Sequence, residues 1–93
     1  MKVSFTEDFM MELKELLKYI AKDKPIAAKK FKTDLLKNLK KDLVNPFLFK
    51  KSIYFKEEKY RDYVFKGYTT IIRIESELEI VYIIGILKHK ELF

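Results

Sequence analysis

The 93-residue sequence contains no cysteine, two glycines, two prolines and one histidine. Each shortage removes a class of chemistry. Without cysteine there is no disulfide, no thiol nucleophile and no thiolate metal site, which suits a reducing compartment. One histidine does not build a usual zinc site, and no acidic cluster has calcium-loop spacing. The isolated Gly67 and Gly85 cannot form a phosphate-cradling loop, and no Ser/His/Asp signature is present. Long apolar runs are missing too. The longest, residues 80–87, is far below the roughly 20 residues a membrane-crossing helix needs. Glu7 and Asp8 arrive before a secretory signal's apolar run has room to form. The expectation is a soluble cytoplasmic protein with no metal, cofactor or membrane partner.

A hydrophobic content of 48%, with 15% aromatic, is enough to fold one compact domain of this length. The charge is unbalanced at +6, which favours phosphate backbones or acidic protein segments as partners. Between Lys24 and Lys41 seven lysines face the single acid Asp34. A solvated helix face and a partner-facing patch both fit that run.

The periodicities give an element order. Lys2 to Phe5 alternates like a short half-buried strand. Thr6 then suits an N-cap, with Glu7 and Asp8 at the positive end of the helix dipole. Phe9, Leu13, Leu16, Leu17 and Ile20 form one apolar stripe on a helix ending near Ala21. Pro25 suits the first position of a second helix, striped by Ala28, Phe31, Leu35, Leu39 and Leu43. Asn45-Pro46 ends it. Residues 46–58 are rich in bulky apolar side chains but have no clean period, so they read as a partly extended connection. Strands at 60–65, 68–75 and 79–87 follow, joined by tight turns at Lys66-Gly67 and Ser76-Glu77. The last, apolar on both faces, is expected inside the sheet with helices over one side. The fold class is α+β, order β-α-α-β-β-β: a helix hairpin on a small, mainly antiparallel four-stranded sheet.

This layout resembles the RelE/ParE superfamily, small basic toxins of bacterial type II toxin-antitoxin systems, over nearly the whole length. "YIAKDKPIAAKKF" is similar to that family's helix hairpin, and "NPF" to the proline after the second helix. "YRDYVFKGYTTIIRI" resembles its arginine-bearing strand followed by Gly-Tyr and an Ile/Val strand. The resemblance implies a cognate antitoxin that wraps the toxin. It also implies one of two targets, because RelE-like and YafQ-like members cleave mRNA in the ribosomal A site whereas ParE-like members inhibit DNA gyrase. A basic nucleic-acid-binding module without toxicity is a weaker alternative. Oligomeric state stays open.

Metal-independent RNA cleavage needs a proton carrier and cations for the phosphate oxygens. His89 has the side chain that titrates nearest neutrality, making it the candidate acid or base. Arg61 and Arg73, the only arginines, are candidates for two-point phosphate contacts that lysine does not make. If they sit on neighbouring strands and Lys88 and His89 leave the next, all four would converge at one end of the sheet. Lys88 and Lys90 are then candidate substrate contacts, and Tyr63 and Phe93 candidate base-stacking groups. Plainer readings stand beside these: Arg61 paired with its neighbour Asp62, Arg73 balancing nearby glutamates, and strand tyrosines in the core or at its rim. The ending "HKELF" resembles the His-x-x-Leu-Phe terminus of YafQ-like nucleases, which implies active-site roles for His89 and Phe93. Other positions depart from the cleaving members. Arg61 and Tyr63 stand where RelE has lysines, Thr69 stands where it has an arginine, and no tyrosine follows Lys88-His89. The expectation is a toxin, with mRNA cleavage slightly preferred to gyrase inhibition.

Overall fold

A computed structural model describes residues 1–88. β1 (Lys2–Phe5) leads through Thr6 into α1 (Glu7–Ala21) and α2 (Pro25–Asp42). A short 3-10 turn, Pro46–Leu48, precedes β2 (Lys50–Lys51). β3 (Tyr60–Phe65), β4 (Tyr68–Glu75) and β5 (Ile80–Lys88) complete the sheet, with a second 3-10 turn, Ser76–Leu78, between the last two. The sheet order is β1-β5-β4-β3-β2, antiparallel except for the parallel pair β1 and β5. The sheet therefore has five strands, not four. The additional one is a two-residue edge strand inside the aperiodic connection.

Local chemistry explains each boundary. Thr6 is extended and its hydroxyl accepts the Phe9 N–H, which caps α1. The same hydroxyl and the Thr6 N–H both donate to the Ile83 carbonyl at 2.9 and 3.1 Å, fastening the helix start to β5. α2 has no side-chain cap and relies on Pro25, whose missing N–H leaves one donor fewer to satisfy. Lys66 and Gly67 have φ of 49° and 81°, the left-handed pair that a two-residue hairpin turn demands.

Strand alternation gives the sheet a covered and an open face. On the covered face Val81, Ile83 and Ile86 of β5, Ile72 of β4 and Tyr63 of β3 meet Phe9 and Leu13 of α1 and the Phe31, Leu35, Leu39 and Leu43 stripe of α2. β5 lies inside the sheet, between β1 and β4, as its apolar faces require. A bulge where Ile71 pairs with Gly85 but Ile72 with Ile83 disturbs the β4–β5 ladder. Glu12 of α1 reaches this irregularity, and its carboxylate accepts the Ile86 N–H at 3.0 Å. A Cβ on Gly85 would lie 3.2 Å from that carboxylate, so the glycine leaves room for the contact. No described helix is long and apolar enough to cross a membrane.

Candidate functional site

Because Arg61 lies opposite Ile72, it shares the covered face with Tyr63 and Phe65. Two of its three guanidinium nitrogens donate to backbone carbonyls of the chain. Nε donates to the Glu58 carbonyl at 2.9 Å, while one terminal nitrogen donates to the carbonyls of Phe47 and Phe49 at 3.1 and 2.9 Å. The group also sits 5.2 Å from the centre of the Phe47 ring. Arg61 thus fastens the connection between α2 and β3 from below. It makes no ion pair with Asp62, whose side chain points to the open face and accepts the Ile53 N–H at 3.1 Å. Tyr63 is only 6% exposed. It packs edge-on against Phe49 and donates its hydroxyl to Asp42 at the end of α2. Burial, then the hydrogen bond and charge of Asp42, push this phenol well above its ordinary pKa. Tyr63 is therefore a neutral core donor, away from any surface where a base would stack.

Arg73 projects to the opposite face. Tyr60, Arg73 and Tyr82 form one row across β3, β4 and β5. The Arg73 guanidinium lies 4.9 Å from the Tyr82 ring centre, and Nε is 3.1 Å from Glu75 without hydrogen-bond alignment. Glu75 is also 3.8 Å from Lys59, so the arginine does balance a neighbouring acid. Phe55 stacks on Tyr60 at 4.1 Å. Lys88 lies at the other end, opposite Tyr68 and beside Leu16 and Tyr19 of α1. It is six positions beyond Tyr82 on β5, about 20 Å along the strand. Arg61, Arg73 and Lys88 thus do not converge: two faces and the length of a strand separate them. His89, Lys90 and Phe93 lie outside the described residues.

A third surface belongs to the helices. A groove of about 670 Å³ runs between α1 and α2, floored by Met10, Leu13, Leu17 and Ala28. Lys14, Lys18, Lys29 and Lys32 border it, with Glu7 as the single acid. Part of the lysine run between residues 24 and 41 thus edges an apolar trough. The signal in the sequence was Met10 and Met11, large apolar side chains beside the main stripe of α1 with no place in it. Among the described residues, no three His, Cys, Asp or Glu side chains gather as a metal site would need.

A family model described as the ParE toxin of the type II toxin-antitoxin system parDE matches residues 3–93. The chain belongs to the ParE toxin family. No protein of curated function matches it by sequence. Among solved structures, this ParE-family chain is similar to one described as the chromosomal ParDE system from P. aeruginosa, at TM-score 0.78 and 13% identity over 97% of both chains. It also resembles one described as the RelBE2 toxin-antitoxin complex from Mycobacterium tuberculosis, at TM-score 0.57 and 18% identity over 96% of both chains. Identities this low report the shared fold alone.

Proposed function

We propose that this ParE-family chain is a toxin that stops growth by binding DNA gyrase without cutting a nucleic acid. One observation carries the reading. Arg61 and Tyr63 occupy the strand positions where RelE-like toxins place lysines, and here both turn to the helix side, where Nε and one terminal nitrogen of Arg61 donate to backbone carbonyls and the Tyr63 hydroxyl donates to Asp42. A cognate antitoxin neutralises the toxin by filling the groove between α1 and α2. The apolar floor and the four bordering lysines suit an amphipathic segment with acidic edges. Pulse-labelled DNA and protein synthesis after induction test the mechanism. DNA synthesis falls first, with a DNA-damage response, while translation continues. Rapid translation arrest without DNA damage refutes it.

Ribosome-dependent mRNA cleavage is the second reading, favoured by the "HKELF" terminus. There His89 is the acid or base, Phe93 stacks on a base, Lys88 and Lys90 hold the substrate, and Arg73 is the strand arginine that faces outward. His89→Ala decides between the two. Under gyrase inhibition it leaves growth arrest intact, and under cleavage it abolishes both arrest and mRNA cutting.

A further inference from the structure

The connection between α2 and β3 bears a dense set of uncovered apolar side chains. Phe47, Leu48, Ile53, Tyr54 and Phe55 are all exposed, with Leu48 at 80% and Ile53 at 61%. Five such groups in nine residues are more than the scattered apolar exposure of an ordinary surface. Nor is the segment loose. It wraps round the β3 edge of the sheet through β2, and two adjacent β3 residues hold it from opposite faces. Arg61 takes the Phe47, Phe49 and Glu58 carbonyls from the covered side, and Asp62 takes the Ile53 N–H from the open side. Ser52, buried at the bend, donates its N–H to the Tyr60 carbonyl and accepts the Tyr54 N–H on its hydroxyl. Phe55 is fixed by its stack on Tyr60. The result is a preformed ridge that wraps the sheet edge, with Phe47 beside Arg61 on the covered side, Phe55 against Tyr60 on the open side and Leu48 and Ile53 the most exposed, so little ordering entropy remains to be lost on docking.

The charge around the ridge narrows the partner. Residues 47–59 carry four lysines (50, 51, 56, 59) and two glutamates (57, 58). The glutamates lie 3.6 Å from Lys59 and from Lys51 respectively. Lys50 and Lys56 make no ion pair with a described residue. Two copies meeting ridge to ridge would bring like charges together, which disfavours self-association. An apolar cleft with an acidic rim is the complement.

We infer that the ridge at residues 47–55 is the surface by which this toxin grips its protein target, an apolar cleft bordered by carboxylates. The inference rests on the gyrase reading for the identity of that target, but not for the existence of the surface. It places target contact at the β2 edge of the sheet and antitoxin contact in the groove between α1 and α2.

The test compares Leu48→Asp/Ile53→Asp, Lys50→Glu/Lys56→Glu and the exposed control Leu78→Asp with the wild type. Thermal melting, solution mass, growth arrest on induction, and binding of purified toxin to DNA gyrase are measured for each. The apolar double variant melts close to wild type, fails to arrest growth and binds gyrase at least about 30-fold more weakly, as loss of two anchors predicts. The charge-reversed variant weakens binding about tenfold, and the control behaves as wild type. Because neither lysine side chain makes a hydrogen bond or ion pair with a described residue, the charge-reversed pair keeps the test decisive even if the apolar variant misfolds. Arrest at wild-type strength by both double variants overturns the proposal. So does a wild-type dimer that the apolar variant converts to monomer, since the ridge would then join two copies. If the wild type arrests growth without binding gyrase, the gyrase reading fails, and growth arrest alone judges the ridge.

Discussion

Replacing Arg61 with alanine separates a structural arginine from a phosphate-binding one. The side chain makes three hydrogen bonds to carbonyls of the α2–β3 connection and lies over the Phe47 ring. Hydrogen bonds from a charged donor reach about 1.5–3 kcal/mol each, but two of these are exposed, so about 0.5–1 kcal/mol apiece is the appropriate scale. The contact with the ring adds about 0.5–1 kcal/mol. Arg61→Ala should therefore cost about 2–4 kcal/mol, which in a domain of this size lowers Tm by roughly 10–25 °C. Arg61→Lys should recover less than half, because a single ammonium cannot reach three carbonyls held by a planar fork. Urea unfolding followed by circular dichroism measures the loss, and hydrogen exchange should locate faster opening in residues 47–59. An arginine reserved for substrate would cost little when removed. A loss below about 0.5 kcal/mol for Arg61→Ala would refute the internal role and return Arg61 to the list of phosphate contacts.

Other positions give sharper local tests. Tyr63→Phe should cost about 1–2 kcal/mol by stranding Asp42, as read by the urea midpoint at neutral pH. The Tyr63 phenol titrates higher in the folded chain than in the unfolded one. Its stabilising share is therefore complete below the ordinary tyrosine pKa of about 10 and declines as pH rises beyond that value. Between pH 8 and 11 the wild type should consequently lose more stability than Tyr63→Phe, and equal losses would contradict the assignment. Gly67→Ala should cost about 1–2 kcal/mol in thermal unfolding. The added methyl meets nothing within 4 Å, so the whole cost is the φ of 81°. Glu12→Ala leaves the Ile86 N–H without its acceptor and should cost about 1–2 kcal/mol, with accelerated hydrogen exchange at Ile86 and no change near β2.

The helices and the three long strands were legible because each buries a stripe of the expected period, with Thr6, Pro25 and Asn45-Pro46 marking ends by backbone chemistry. β2 was not. Its two lysines are exposed and owe their place to backbone pairing with Arg61 and Asp62, a contact that leaves no side-chain pattern. The surrounding residues lacked a period for a related reason. Their apolar groups wrap an edge and face outward, so no single buried face sets a repeat. For Arg61 the signal was present: it shares strand parity with Tyr63 and Phe65, which places it on the helix side. Arg73 was harder, since Ile71, Ile72 and Ile74 make β4 apolar on both faces. The distance to Lys88 follows once the Lys66-Gly67 hairpin and its neighbour set the register, because Tyr68 then faces Lys88 while Arg73 faces Tyr82.

The pairing of β1 with β5 also sets the order of events during synthesis. Thr6 and Ile83 are 77 residues apart, yet the Thr6 cap, the β1 ladder and the Glu12 contact all wait for β5. Until that strand emerges, β1 has no neighbour in the sheet and α1 lacks the β5 side of the surface that covers Phe9 and Leu13. The helix hairpin and the β3–β4 hairpin can form locally while the chain is still being made, but the closing step is a long-range one. A polypeptide released before β5 is complete would lack the partner of β1 and β4, the Ile83 carbonyl that holds Thr6 and the Ile86 N–H that holds Glu12. Closure of the sheet thus waits on the synthesis of β5.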